Sequence, residues 1–408
     1  SICSADMPNA ATTSKSLSRI PFMLAKLGGL FAVKPRGKSG GKQGGDIVLT
    51  LVVFALVAVG LLFVYSASNY SAEQTYGNKY YFVAKQAVGA AVGIAAFFLC
   101  ANISLAFVKK LWIVGVAVSA VLLGLVFVPG IGIENYGAKR WIGFGGFSLQ
   151  PSEIAKFAYV LFCSVYMALF DMTKLRYAVV PLAVGGALCL LIITEPNMSV
   201  TVCVAAVMVV MLFLGGVKWR YFLLMSLPLV VAAPVLILIE PYRVQRLLAF
   251  LDPWASPKGE GYQLIQSLYA LGSGGWFGVG LFNSRQKYRF LPFAESDFVF
   301  SVIGEETGLF GCLVVFVLFV VLILRGVRIA VNSKGKFEFF LASGITAVIA
   351  VQTLVNFAVV TGSIPPTGLP LPFISYGGTS LVVFMSAAGL LVNLSKNSFS
   401  QGANNWIT

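Results

Sequence analysis

From Ile47 onward the chain is a succession of apolar runs of about twenty residues, broken by short polar turns. That is the length an α-helix needs to cross about 30 Å of hydrocarbon. The runs are Ile47 to Tyr65, then about 80–103, 110–129, 151–170, 177–194, 199–217, 221–240, 298–324, 338–361 and 377–395, ten in all. They are continuous and lack the alternation of a lipid-facing strand, which excludes a transmembrane β-barrel. With 58% hydrophobic and 11% charged residues, 408 residues carry too few charges to cover a soluble surface. The expected fold is therefore an all-α polytopic membrane protein of ten transmembrane helices, with a large extracytoplasmic loop at 241–297 between helices 7 and 8.

Three regions follow. Residues 1–46 read as a polar Ser/Gly/Lys-rich cytoplasmic tail, with an amphipathic patch near Ile20 to Phe31 that suits a membrane surface. Residues 47–396 form the membrane domain and 397–408 a short cytoplasmic tail. The first run is too long for a signal-peptide core and has no convincing cleavage site, so it counts as the first span.

Loop charges set the orientation. One set of loops carries Lys109 and Lys110, Lys174 and Arg176, Lys218 and Arg220, and Arg325, Arg328, Lys334 and Lys336, joined by the basic N-tail and Lys396. The alternate set carries Lys79, Lys139 and Arg140, none at 195–198 and none at 362–376, besides the long loop. Both termini are expected in the cytoplasm and the long loop outside. The net charge of +14 thus reads as topology and not as a nucleic-acid surface. Basic residues kept in the outer loop against this rule point to anionic contacts there.

The chain has six cysteines without CxxC spacing, five of them in or at the edge of apolar runs, which reads as free buried thiols. It has no histidine. Imidazole catalysis and His-ligated zinc are excluded, leaving carboxylates, Lys or Tyr to move protons.

A connection as long as Pro241 to Asp297 is functional or disordered, and its aromatics argue for function. Arg243 and Arg246 alternate with Leu247, Leu248, Phe250 and Leu251, as in an amphipathic interfacial helix, and Tyr262 to Leu271 is a second helix candidate. Arg285, Lys287 and Arg289 form a basic cluster suited to a pyrophosphate. Charges inside spans are costly, and here they are Lys85, Glu153, Lys156, Glu305 and Glu306, all in the outer half of the bilayer beneath the loop. They are either buried structural ion pairs or the floor of an outward-facing polar cavity. Gly89 and Gly93 have the small-xxx-small spacing of helix packing. Ser296-Asp297 before a helix reads as an N-cap, and Asp297 also stands where a general base for an anionic lipid-linked substrate belongs. The Gly137–Gly143 segment holds Lys139, Arg140 and Trp141, and the Pro/Gly-broken segment 365–380 holds Ser375 and Tyr376. Irregular backbone at membrane depth is tolerated where it is buried or lines a cavity.

Taken together, GAKRWIG, QPSEIAK at 150–156, EPNMS at 195–199, PYRVQRLLAFLDPW, GYQLIQSLYALGSGG, SDFVFSVIGEETG at 296–308 and LPLPFISYGGTS resemble the SEDS (shape, elongation, division and sporulation) family of bacterial cell-wall polymerases. The wording is more similar to the division branch than to the elongation branch. The resemblance implies a ten-helix fold and a peptidoglycan glycosyltransferase that polymerises lipid II at the outer face of the cytoplasmic membrane. It also implies a class B penicillin-binding protein and other division membrane proteins as partners. It places the family's essential aspartate on Asp297 and its motif Trp, Glu and Lys on Trp141, Glu153 and Lys156. The other substrate contacts expected are Lys85, Lys139, Arg140, Arg243, Arg246, Arg285, Lys287, Glu305, Glu306, Ser375 and Tyr376, with a divalent cation (Mg or Mn) an open expectation. Glu295, Ser296 and Asn197 stand where relatives often have His, Thr and Asp. A lipid II flippase and a scaffold that recruits a crosslinking partner are the rival readings.

Overall fold

The computed structural model describes residues 45–135, 138–144, 147–224 and 241–398. The amphipathic patch near Ile20 to Phe31, nearly all of the seventh expected span and the end of the C-tail lie outside the described residues. Seven described helices are long and apolar enough to cross a membrane. They are α1 (Ile47–Tyr76), α2 (Tyr81–Asn102), α5 (Pro151–Leu169), α6 (Leu175–Thr194), α10 (Val299–Val331), α11 (Lys336–Val360) and α12 (Gly378–Ser398). Short α3 (Leu105–Lys110) precedes α4 (Trp112–Leu125), and α4 and α7 (Met198–Leu214) occupy the third and sixth expected spans. In the long loop, α8 (Pro241–Leu251) and α9 (Tyr262–Gly274) fall where the apolar periodicity places them.

Helix α1 runs eleven residues beyond the expected end at Tyr65. The polar stretch after Tyr65 contains no Gly or Pro, so nothing stops the helix until Gly77 takes a left-handed conformation and returns its N–H to Glu73 O at 2.9 Å. At its other end Asp46 caps the helix by accepting from Leu49 N, and also pairs with Arg325 at 2.9 Å.

Lipid offers no hydrophobic drive for helices to associate, so close contact needs small residues. Helices α2 and α12 meet in this way: Gly89 faces Gly378 and Gly93 faces Met385. A Cβ on Gly389 would stand 2.3 Å from the carbonyl oxygen of Phe97. The carbonyls at the end of α2 are capped from α12, where Asn393 donates to Cys100 and Ile103 and Lys396 donates to Ala101.

Two irregular features position the site. A three-stranded antiparallel sheet, β1 (Gly132–Asn135), β2 (Ala138–Phe144) and β3 (Phe147–Leu149), lies ahead of α5 and was not expected in an all-α reading. Its period of two puts Arg140 on the same face as the buried Ile142. The second feature is a break in α10 at Gly308 (φ 64°, ψ −164°). There the N–H groups of Leu309 and Phe310 donate to Gly275 O and Trp276 O, while the carbonyls of Glu305 and Glu306 accept from Val279 N and Gly280 N at 2.9 and 3.1 Å. The loop thus satisfies four main-chain groups that the break frees.

Candidate active site

Asp297 does not cap α10. The cap position is Phe298 and no side chain satisfies that helix start, so the capping expectation is corrected and the carboxylate is left available. Its main chain is fixed from two sides: Asp297 N donates to Phe293 O at 3.2 Å, and Asn356 of α11 donates to Asp297 O at 3.0 Å. The same Asn356 amide donates to Leu369 O at 2.8 Å, and Gln352, one turn earlier, donates to Pro370 O at 2.8 Å. The segment 369–370 is therefore bolted to the helix that holds Asp297. Gly368, exposed and left-handed (φ 74°), passes over the carboxylate, and a Cβ there would lie 3.3 Å from Asp297 Oδ2. The carboxylate is half-buried and reached over a residue without a side chain.

Burial pushes the Asp297 carboxyl up to about 6, against the lowering fields of Arg140 and Arg246 and a hydrogen bond from Ser296. A carboxylate in that range is ionised at neutral pH yet basic enough to take a proton in a transition state. Arg246 sits on α8, 3.5 Å from Glu260 Oε2, and donates to Pro366 O at 3.3 Å. Arg140 of β2 donates to the main-chain carbonyls of Glu195 and Pro196. Beside Arg246, a cavity of about 260 Å³ is lined by Lys258, Glu260, Tyr262, Gln263 and Pro292.

The structure thus brings Arg140 and Arg246 to Asp297, whereas several expected contacts are engaged elsewhere. Glu153 and Lys156 are 0% and 1% exposed. Lys156 Nζ meets Glu153 Oε1 at 2.8 Å and also Gln352 Oε1, and Ser380 donates to Glu153 Oε2 at 2.9 Å. This pair is a closed clamp on α11 and α12, the structural ion pair of the two readings, and no floor open to a ligand. Glu305 and Glu306 are each 1% exposed and accept the main-chain N–H groups of Arg285, Gln286 and Ser284, so they anchor the loop. Lys287, expected to face a pyrophosphate, is 5% exposed with its ammonium on Phe282 O, because the loop curls around its own cation. Arg285 is exposed, and Arg243 lies at the start of α8 where side chains are outside the described residues. Ser375 is buried in a turn, accepting from Leu371 N at 2.8 Å, while Tyr376 donates its N–H to Glu295 O at 2.9 Å. Lys85 is exposed on the first turns of α2 and reaches up to Tyr81 Oη at 2.8 Å. On β2, Lys139 is exposed and Trp141 half-buried.

Three residues of the site were not singled out from sequence. Gln352 and Asn356 had a signal, two amides four apart in an otherwise apolar span. Glu195 was quoted only as part of EPNMS. It is 0% exposed, neither carboxyl oxygen has a hydrogen-bond partner, and burial raises its pKa to about 8 against the lowering field of Arg140. Among the described residues no group of three Cys, Asp or Glu side chains is placed to hold a metal ion.

Residues 46–400 match the family model for the FtsW/RodA/SpoVE cell cycle proteins. The chain belongs to this family. Among family relatives it is 37% identical over 361 residues to stage V sporulation protein E of Bacillus subtilis (strain 168), covering 88% of this chain and 98% of that one. It is 39% identical over 360 residues to a probable peptidoglycan glycosyltransferase FtsW of Trichlorobacter lovleyi, covering 86% and 93%. Among solved structures of the family's fold, it superimposes on a chain of a peptidoglycan synthase complex that coordinates polymerization and crosslinking, with TM-score 0.73 and 28% identity over 88% of this chain and 99% of that one. The Thermus thermophilus rod shape determining protein RodA is similar with TM-score 0.64 and 25% identity, over 88% and 98%.

Proposed function

We propose that this chain is a peptidoglycan glycosyltransferase that polymerises lipid II at the outer face of the bacterial cytoplasmic membrane, with Asp297 as general base. The observation that carries the reading is the Asp297 carboxylate itself. It is uncapped, raised to about 6 by burial, approached over Gly368 and flanked by Arg140 and Arg246. In this reading Asp297 takes the proton from the 4-hydroxyl of the incoming GlcNAc as that oxygen attacks C1 of the MurNAc on the lipid-linked chain. A single displacement inverts the anomeric centre. Charge developing on the departing diphosphate is met by Arg140, Arg246 and the exposed loop cations, Arg285 among them. No step here depends on a divalent cation.

The loop end of the bundle, with Asp297, faces outside, and both termini are cytoplasmic by the distribution of Lys and Arg. A class B penicillin-binding protein as crosslinking partner is supported by the fold match to the synthase complex. Relatives named FtsW support a role at the division septum with other division membrane proteins, and the match to RodA carries elongation as the second reading. Against a flippase, the buried pair Glu153–Lys156 is closed by Gln352 and Ser380, so these span charges offer no polar path across the bilayer.

The test is polymerisation of lipid II by the purified protein in detergent, with and without its partner. Detergent has no two leaflets, so flipping cannot produce the signal. Wild type should make glycan, and Asp297→Asn should lose about 10²- to 10⁴-fold in turnover. No glycan from the wild type under either condition would refute the enzyme reading.

A further inference from the structure

Helix α1 has 30 residues and is therefore about 45 Å long, some 15 Å more than a hydrocarbon core requires. Its last turns, with the α2 start that the Gly77 turn sets beside them, carry a cluster of tyrosines. Tyr76 stacks on Tyr81 with ring centroids 3.8 Å apart and planes at 11°. Tyr81 meets Phe82 edge-on, and Phe82 meets Tyr376 edge-on at 5.0 Å. Tyr376 is in turn joined to Glu295, two residues from Asp297, by its N–H. Tyr80 stacks on Tyr65 beside this row. Tyr76 and Tyr80 are 50% and 51% exposed, and Tyr81, Phe82 and Tyr376 are half-buried. Interfacial Tyr belts lie at headgroup depth; Tyr76, stacked on Tyr81 at the start of α2, ends a helix some 15 Å longer than a hydrocarbon core requires. Cations accompany the rings: Lys85 lies 4.4 Å from the Tyr81 ring and bonds its hydroxyl, and Lys79 lies 5.2 Å from the Tyr80 ring.

We propose that the row Tyr376, Tyr81, Tyr76, with Lys85 and Lys79 beside it, is a saccharide-binding track that carries a carboxylate-bearing glycan strand away from Asp297. It rests on the polymerase reading for the identity of the strand. A pyranose presents a flat C–H face that packs on an aromatic ring, and its hydroxyls pair with phenols at the rim. Carboxylates on alternate sugars or their peptides meet the two ammonium groups. The track begins at Tyr376, held through its N–H by Glu295 two residues from Asp297, and ends at Tyr76 on the last turn of α1.

The test is direct binding of soluble, uncrosslinked peptide-bearing glycan oligomers to the full chain in detergent, by calorimetry, in an Asp297→Asn background that prevents turnover. Tyr76→Ala should weaken Kd about tenfold, as the loss of one stacked ring implies, while Tyr76→Phe should retain it. Lys85→Met leaves every ring in place and should weaken binding of oligomers that keep their carboxylates but not of oligomers whose carboxylates have all been converted to amides. In the polymerising protein, Tyr76→Ala should shorten the strands several-fold and Tyr76→Phe should restore them. Unchanged Kd in Tyr76→Ala would overturn the track. Binding without any polymerisation by the wild type would instead refute the polymerase reading and leave the track standing.

Discussion

Asn356 holds Asp297 by its main chain, donating to the Asp297 carbonyl at 3.0 Å, and spends its second amide hydrogen on Leu369 O at 2.8 Å. One side chain therefore fixes both the base and the segment that passes over it. Asn356→Leu should cost about 10²-fold in kcat with little change in KM, because a displacement of about 1 Å at the reacting centre has that effect. Steady-state polymerisation by the purified variant checks this, with a thermal melt to show that the bundle remains assembled.

The pH profile reports on the same carboxyl. Asp297 acts as a base only when ionised, so kcat/KM, which reports the free enzyme, should fall as pH drops through about 6. Arg246 is one of the cations lowering that value. Its removal favours the protonated form and raises the pKa. Arg246→Gln should thus move the acid limb to higher pH, whereas Arg246→Lys, which keeps the charge, should leave it nearer the wild-type position.

Glu305 is a loop anchor, and its loss should be visible in the loop before it is visible in the membrane domain. Glu305→Leu removes the acceptor of the part-buried Arg285 and Gln286 N–H groups, at a cost of about 0.5–1.5 kcal/mol per hydrogen bond lost. Limited trypsin digestion should cleave after Arg285 and Lys287 many times faster than in the wild type.

The Glu153–Lys156 pair should behave as a buried ion pair. Glu153→Leu leaves the Lys156 ammonium uncompensated and should destabilise the protein by about 3–5 kcal/mol. The double variant Glu153→Leu/Lys156→Met should recover most of that loss. Thermal melts of the three proteins in one detergent compare them directly.

The spans were legible because hydrocarbon thickness imposes a run length that nothing else in a sequence imitates, and α8 and α9 were legible from their apolar periodicity. The Gly89/Gly93 packing was visible in its spacing, though not its partner α12. What the residues could not reveal was how charge is spent. Lys287 and Arg246 look alike in sequence, yet one is buried on the carbonyl of Phe282 and the other faces Asp297. Ser296-Asp297 has the local pattern of a cap, yet the cap position falls one residue later, at Phe298, and the Asp297 main chain is held by Phe293 and Asn356. The small sheet escaped notice because its strands are three to seven residues long and lack a β-branched run.

The break at Gly308 also bears on how the protein is made. Four main-chain groups of α10 and the loop pair with each other, and an unsatisfied group in lipid costs several kcal/mol. A half-inserted α10 waiting for its loop would carry that whole penalty. Delivery of residues 275–280 across the membrane and seating of α10 within it are therefore a single step of biogenesis, and the working end of the protein is assembled as the helix is inserted.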